Sequence, residues 1–205
     1  MMAPVPTTAP GSVTIVPRIL AFAGSVRKES FNKKLVQIAA TGARAAGAEV
    51  MYIDLRDYPL PLFDQDLESE HGLPENAGKL KTLMLSHHGF LISAPEYNSS
   101  ITPLLKNTID WASRPVAGEP PLACFSGKAA VIMSASPGAL GGLRGLVHLR
   151  AILGNIGTHV LPATHSLAKA TDAFAADGSL VDRGRHETIE QLGGQLAAFL
   201  RKLLA

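Results

Sequence analysis

The amino-acid sequence predicts an α/β domain in which helices cover both faces of a parallel β-sheet. Short apolar runs that end in turns alternate along the chain with longer stretches of helical periodicity, which is the pattern of a doubly wound sheet. The run RILAFA at residues 18–23, for example, is followed by Phe31, Leu35 and Ile38 at helical spacing. Hydrophobic residues make up 46% of the 205 residues and charged residues 18%, which is enough apolar material for one buried core.

This alternation predicts the position of each element. Strands are expected at Arg18–Ala23, Glu49–Leu55, Gly89–Ala94, Lys128–Ser134 and Thr158–Leu161. Helices are expected from Phe31 to Gly47, at Pro74–Ser86, Thr102–Ser113 and Leu143–Leu153, and in a last segment whose apolar face is Ile189, Leu192, Leu196, Phe199 and Leu203. Stretches 58–73 and 170–182 are predicted to be loops. Five strands suit a flavodoxin-like three-layer sandwich with sheet order 2-1-3-4-5, whereas the longer dinucleotide-binding fold has six.

Composition limits the classes of function. Residues 1–14 are rich in proline and threonine and are predicted to be a disordered tail before one domain at 15–205. The net charge of +2 argues against a nucleic-acid surface, and the single cysteine, Cys124, excludes a disulfide or a Cys-ligated metal. No apolar stretch has the length of a signal peptide or a membrane span, so a soluble cytoplasmic protein is expected. The acidic run at residues 64–70 is interpreted as a solvated face, and no metal site is predicted.

The loop after the first strand has the composition of a phosphate site. Ser25, Arg27, Ser30 and Asn32 lie just before or at the start of a predicted helix, whose N-terminus offers free N–H groups and a partial positive charge. Hydroxyl and amide donors with one arginine would hold a terminal phosphate monoester. For Ser30 alone, a simple N-cap role is an equally good interpretation. No GxGxxG or Walker sequence is present, which argues against the usual nucleotide loops.

The loops after the third and fourth strands supply the other candidate residues. The first of these loops carries Pro95, Glu96, Tyr97, Asn98 and Ser99. It is expected to be rigid, because Pro95 stops the strand and Thr102-Pro103 matches an N-cap followed by proline. The other loop carries Ser136, Gly138 and Gly141, whose small size would let the backbone approach a flat ligand. Arg144 follows, and it is assigned either to a nicotinamide phosphate or anionic substrate or to a surface ion pair.

Four ordered segments resemble the NADPH-dependent FMN reductases, a family that includes bacterial quinone, chromate and azo-dye reductases. They are GSVRKESFN at 24–32, PEYNSS at 95–100, LKNTIDWASRP at 105–115 and SPGALGGLR at 136–144. The resemblance implies FMN with its phosphate at the first loop, its isoalloxazine ring beside residues 95–99, and the 136–142 loop lining the same pocket. One departure is Thr102-Pro103, where relatives usually have Pro then Gly.

The resemblance also implies an activity and an assembly. FMN would pass electrons from NADPH or NADH to a small acceptor, which is a quinone, chromate, an azo dye or flavin, so no catalytic triad is required. Relatives are homodimers or homotetramers with interfaces near the flavin, in the region of Lys106, Asp110, Trp111 and Arg114. The alternative is a flavodoxin-like electron carrier that docks a protein partner, although such a carrier should be acidic.

Overall fold

Helices flank both faces of a parallel sheet whose strands run in the order β2-β1-β3-β6-β7. A computed structural model describes residues 15–205; the predicted tail at 1–14 lies outside the described residues. The strands are β1 (Arg18–Ala23), β2 (Glu49–Tyr52), β3 (Gly89–Ser93), β4 (Glu96–Tyr97), β5 (Ser100–Ile101), β6 (Ala129–Ala135), β7 (His159–Val160) and β8 (His165–Leu167). The helices are α1 (Phe31–Ala45), α2 (Gln65–His71), α3 (Glu75–Ser86), α4 (Pro103–Ala112), α5 (Leu143–Asn155) and α6 (Arg183–Leu203). This order is the predicted 2-1-3-4-5.

The strand at one edge of the sheet is divided into two pieces. β7 pairs with the start of β6 through Ala129↔His159, and β8 pairs with its end through Met133↔His165. The predicted fifth strand, Thr158–Leu161, accounts for the first piece only. Pro162, between the two pieces, has no N–H to continue a ladder, which explains the interruption.

Two apolar cores hold the three layers together. One core packs α1 and α6 against the side chains of one sheet face, such as Ile19 and Val131. The other packs α3, α4 and α5 against the opposite face, such as Leu20 and Phe90. Cys124 is fully buried in the second core, where it packs as a small apolar residue. No helix within residues 15–205 combines the length and apolar character needed to cross a membrane.

Three local predictions were wrong. The expected loop at 58–73 contains α2, which Asp64 caps by accepting from the Asp66 and Leu67 N–H groups. Glu68 of this helix pairs with Arg114 at 2.8 Å, so the acidic run is not entirely a solvated face. β2 ends at Tyr52, three residues earlier than predicted, and the chain continues into a 3-10 turn at Leu55–Asp57.

The last helix presents a slightly different face from the predicted one. Leu200 is fully buried together with Ile189, Leu192 and Leu196, whereas Phe199 is 36% exposed. With 3.6 residues per turn, the residue that continues the buried face after Leu196 is Leu200. Phe199 and Leu200 are both apolar, so their apolar character alone did not show which of them is buried. The stretch 170–182, predicted to be a loop, contains a 3-10 turn and one isolated bridge, Phe174↔Leu180.

Glycines set the close approach of α1 and α6. A Cβ built on Gly193 would lie 1.8 Å from the Ala39 carbonyl oxygen, and a Cβ on Gly42 would lie 2.0 Å from the Glu190 carbonyl oxygen. A Cβ on the adjacent Gly194 would meet only ordinary contact, 3.8 Å from the Ala46 side chain. The two helices therefore touch backbone to backbone.

We expect Gly193→Ala to lower the free energy of unfolding by about 3 kcal/mol, because the helices must separate to admit the methyl group. Gly194→Ala, the matched control, is expected to raise it by about 0.8 kcal/mol through helix propensity alone. Urea unfolding of both variants measures the difference. Equal shifts in the two variants would contradict the close contact.

Candidate active site

The loops that follow β1, β3 and β6 meet at the carboxyl edge of the sheet, where doubly wound folds bind their ligands. They enclose a cleft lined by Ser25, Arg27, Ser30, Phe31, Asn32, Pro95, Glu96, Tyr97, Ala135, Ser136 and Pro137. Most of the predicted site residues therefore lie together. Asn98, Ser99, Gly138, Gly141 and Arg144 adjoin the cleft in sequence but are not among its lining residues.

Pro137 lies in the 136–142 loop that the resemblance places at the pocket, but two other lining residues, Phe31 and Ala135, were not predicted. Each is apolar and is a chain neighbour of a predicted residue, so nothing in its chemistry marked it. Phe31 stacks on Phe174, with ring centroids 5.8 Å apart and planes 6° from parallel. The 170–182 segment thus supports the wall of the cleft, which no sequence motif indicated.

The start of α1 forms one end of the cleft. Ser30 occupies the N-cap position with an extended backbone, but its hydroxyl makes no capping hydrogen bond. The residue is only 3% exposed and lines the cleft. The first N–H groups of a helix have no intrahelical partner. The capping alternative for Ser30 is therefore not realised, and its hydroxyl and these N–H groups form a set of donors at one place.

The Asn32 amide, by contrast, is committed to contacts inside the protein. Its Nδ2 donates to the Ala135 carbonyl oxygen at 2.8 Å. Its Oδ1 accepts from the Ser93 hydroxyl at 2.8 Å and from the Ala135 N–H at 3.0 Å. The residue is 4% exposed. These bonds use Oδ1 and one of the two Nδ2 protons, so Asn32 has a structural role, and its side-chain bond to a phosphate stays a prediction.

Residues 96–101 form a two-stranded hairpin, not the irregular loop that was expected. Tyr97 pairs with Ser100, and the two residues between them, Asn98 and Ser99, both have positive φ, 50° and 68°. Two successive left-handed residues make the type I′ turn that suits a two-residue hairpin. Tyr97 is 53% exposed at the mouth of the cleft.

Thr102 joins this hairpin to the loop after β1. Its hydroxyl donates to the Gly24 carbonyl oxygen at 2.8 Å and accepts from the Leu105 N–H at 3.2 Å. Pro103 occupies the first turn of α4. The predicted N-cap is confirmed. The helix start is therefore intact although this chain has Thr102-Pro103 where relatives usually have Pro then Gly.

Glu96 connects the hairpin to α5. Its Oε1 accepts from Arg144 Nη2 at 2.8 Å, and its Oε2 accepts from the Gly145 N–H at 2.9 Å. Burial opposes ionisation of this carboxyl, which is 9% exposed, but the Gly145 and Arg144 hydrogen bonds outweigh it and lower the pKa of Glu96 below its ordinary value. Of the two roles considered for Arg144, the structure has the ion pair.

The glycine-rich loop packs tightly on the protein itself. Gly141 has φ +60°, and a Cβ there would lie 2.7 Å from the backbone of residues 166–168. Gly142 has φ +89°, and a Cβ there would lie 2.0 Å from the buried Ser134 hydroxyl, which has no hydrogen-bond partner among the described residues. The small size of Gly141 therefore serves the contact with β8, and the approach of its backbone to a ligand stays a prediction. Gly138 N–H donates to the Ser136 hydroxyl at 3.2 Å.

Residues 17–172 match the family described as NADPH-dependent FMN reductase. The chain belongs to this family. An NAD(P)H-dependent FMN reductase of Pseudomonas aeruginosa is 34% identical over 187 residues, which cover 91% of this chain and 96% of that protein. An NADPH:quinone oxidoreductase of Arabidopsis thaliana is 35% identical over 191 residues, which cover 91% of this chain and 93% of that protein.

Solved structures with similar folds include a flavoenzyme and a flavodoxin. A flavoenzyme NAD(P)H:(acceptor) oxidoreductase from Paracoccus denitrificans superimposes with a TM-score of 0.76 at 28% identity, covering 91% of this chain and 98% of that chain. A flavodoxin from the domain Archaea superimposes with a TM-score of 0.56 at 8% identity, covering 89% and 98%, and shares the fold alone. The family and the flavodoxin-like fold predicted from the motifs are confirmed. This FMN reductase family member is an oxidoreductase that uses FMN and NAD(P)H.

The lowered pKa of Glu96 makes a pH-dependent contribution to stability. Because the folded-state pKa lies below the ordinary value of 4.5, the contribution is present above pH 4.5 and is lost as the pH falls through the folded-state value. We expect Glu96→Gln to lower the free energy of unfolding by about 2 kcal/mol at pH 7 and by progressively less below pH 4.5. Glu49→Gln, at an exposed position on β2, is the control. Unfolding curves at several pH values measure the difference, and a pH-independent gap would contradict this account.

Proposed function

We propose that the cleft binds FMN with its phosphate at the start of α1. The observation that carries the proposal is the Ser30 hydroxyl, which lines the cleft at the helix N-cap and makes no capping bond. Arg27 also lines the cleft, and the only hydrogen bond of its guanidinium within the described residues is a long one, 3.5 Å to the Glu29 carbonyl oxygen. Ser25 Oγ accepts from the Arg27 N–H, which leaves the Ser25 hydroxyl proton for an anion. These groups suit a phosphate dianion.

The ring of FMN would lie toward the hairpin. Pro95, Glu96, Tyr97 and Ser136 line that part of the cleft. In this proposal Asn98 and Ser99 hold the hairpin turn, while Gly138 and Gly141 shape the third loop, so these four act through the backbone they fix. Arg144 acts through Glu96. Tyr97, half-exposed on the hairpin, would cover a face of the ring and define where a second ligand enters.

We further propose that the acceptor is a quinone. The curated relatives include an NADPH:quinone oxidoreductase that matches along nearly the whole chain. Bound FMN supplies the redox chemistry, by which a hydride equivalent passes from NAD(P)H to the acceptor. The residues of this chain would bind and orient FMN: Arg27 and Ser30 would hold the phosphate end, and the hairpin would leave one side of the cleft open. NAD(P)H and quinone would occupy that side in turn, which gives ping-pong kinetics.

A homodimer or homotetramer is part of the proposal, with its contact on α5. Leu143 and Val147 of α5 are 47% and 63% exposed and lie about one helical turn apart, and Leu140, just before the helix, is 50% exposed. In the α4 region implied by the resemblance, Trp111 is buried, whereas the Lys106 side chain is 49% exposed and pairs with Asp110 at the surface. Sedimentation velocity at micromolar concentration measures the assembly, and a monomer that persists at all concentrations would contradict it.

The function is tested with purified protein and FMN. We expect NAD(P)H oxidation to depend on added quinone with no protein partner present, and to exceed the rate with oxygen alone. An electron carrier would show no such turnover, so this assay separates the two functions. Chromate in place of quinone is a parallel arm, and a higher kcat/KM for chromate would overturn the acceptor assignment.

Arg27→Ala tests the phosphate end of the cleft. We expect the dissociation constant for FMN to rise about tenfold at low salt, because a charge-assisted bond is lost. The affinity of the variant should also depend less on salt than that of the wild type, since one screened charge is gone. Arg183→Ala, which removes an arginine that is 92% exposed on α6, is the matched control. Fluorescence titration measures both, and unchanged affinity at low salt would remove Arg27 from the site.

A further inference from the structure

The turn after β2 reaches across to the loop after β1 through one side chain. Arg56 lies in the 3-10 turn at Leu55–Asp57, and its Nε donates to the Val26 carbonyl oxygen at 3.0 Å. Its Nη2 donates to the same oxygen. Val26 lies between Ser25 and Arg27, the two residues at which the phosphate loop lines the cleft, and does not line the cleft itself.

The middle of this loop has little other support. Within residues 15–205, Arg56 is the only residue of another element that forms a hydrogen bond to residues 25–29. The other hydrogen bonds of these residues lie within the loop. The Lys34–Glu29 ion pair spans 3.7 Å at an exposed position and fixes little. The loop ends are held by Gly24 and Ser30, which leaves the peptides between them free to rotate without Arg56.

Arg56 fixes the orientation of the peptide bond between Val26 and Arg27, which affects how the loop can bind an anion. In a trans peptide the C=O and the following N–H point in opposite directions. Fixing the Val26 carbonyl oxygen on Arg56 therefore turns the Arg27 N–H the other way, where it donates to Ser25 Oγ at 3.2 Å. A flipped peptide would direct a carbonyl oxygen toward the donors and repel a phosphate. The bond selects the loop conformation that presents donors.

Arg56 is itself held in place. Its N–H donates to Asp54 Oδ1 at 3.0 Å, and Asp54 Oδ2 pairs with Lys33 Nζ of α1 at 2.5 Å. Burial opposes ionisation of Asp54, but the bonds from Lys33 and Arg56 lower the pKa of its carboxyl, so the anchor is charged at neutral pH. Leu55, next to Arg56, is 2% exposed in the core. The turn at Leu55–Asp57 is thus fixed by the hydrogen bond to Asp54 and by the burial of Leu55.

We propose that Arg56 is a positioning residue for the FMN phosphate, acting through the Val26 peptide and not by touching the ligand. The inference rests on the proposed function, since it presumes that the loop holds the phosphate. It distinguishes Arg56 from Arg27: one shapes the loop, and the other supplies charge to it.

The experiment compares FMN with riboflavin, which lacks the phosphate, in titrations of the full chain. We expect Arg56→Met to weaken FMN binding about fivefold, the worth of one ordinary hydrogen bond, and to leave riboflavin affinity unchanged. The factor should vary less with salt concentration than the factor for Arg27→Ala, because Arg56 makes no contact with the phosphate. Arg56→Lys, which keeps a donor for the carbonyl oxygen, should restore most of the loss. Arg44→Met is the matched control, as Arg44 also donates to a backbone carbonyl, that of Val50, away from the loop.

Each possible result of these titrations supports or overturns the positioning role of Arg56. An Arg56→Met variant that keeps the wild-type ratio of FMN to riboflavin affinity overturns the positioning role. A loss confined to low salt makes Arg56 a direct phosphate contact and also overturns it. Equal weakening of FMN and riboflavin, or a matching effect of Arg44→Met, reduces Arg56 to a general stabilising residue. A wild-type protein that binds FMN no better than riboflavin removes the phosphate site itself, which is a failure of the proposed function.

Discussion

The Asn32 amide is the contact on which the geometry of the cleft depends. It stands in the first turn of α1, directly after the loop from β1, and bonds to Ser93 at the end of β3 and Ala135 at the end of β6. Three neighbouring strands of the sheet are therefore joined at their carboxyl ends by one buried side chain. A buried amide that lost these partners would cost free energy with no water to replace them, so the three loops are fixed relative to one another.

The hairpin end of the cleft is built separately, on α5. Glu96 bonds to the Gly145 N–H, and the Ser100 hydroxyl lies 2.9 Å from His148 Nδ1. Gly145 lets the hairpin approach closely, since a Cβ there would lie 3.1 Å from the Ser100 carbonyl oxygen. Thr102 then ties the hairpin back to the loop after β1. The two ends of the cleft are thus rigid units joined by single, directional hydrogen bonds.

The sequence was sufficient for the topology and for most of the cleft, because both follow from local signals. Apolar runs and helical periodicity predicted five strands alternating with helices, and that number favoured the flavodoxin-like sheet order. Ser25, Arg27 and Ser30 were singled out because hydroxyls and an arginine precede a helix. The sequence did not reveal the contacts between residues that lie far apart in the chain. Asn32 was predicted only as a phosphate donor, because nothing local shows that the carbonyl oxygen of Ala135, 103 residues away, accepts one of its amide protons. Glu96 and Arg144 were both identified, but not as a pair. Arg56 went unnoticed, because an exposed arginine carries no signal until its partner is known.

Charge within the cleft follows from the same pairings. Glu96 is the one carboxylate among the lining residues, and its lowered pKa keeps it ionised at neutral pH. A bare carboxylate beside a phosphate site would repel a dianion, but Arg144 and the N-terminus of α5 offset this charge. Arg27 and the N-terminus of α1 are left without a compensating anion among the lining residues. The α1 end is therefore positive and the hairpin end close to neutral, which suits a ligand with a charged tail and a flat, uncharged ring. A chain with a net charge of only +2 can hold such a ligand because local pairing, not total charge, sets the field in the cleft.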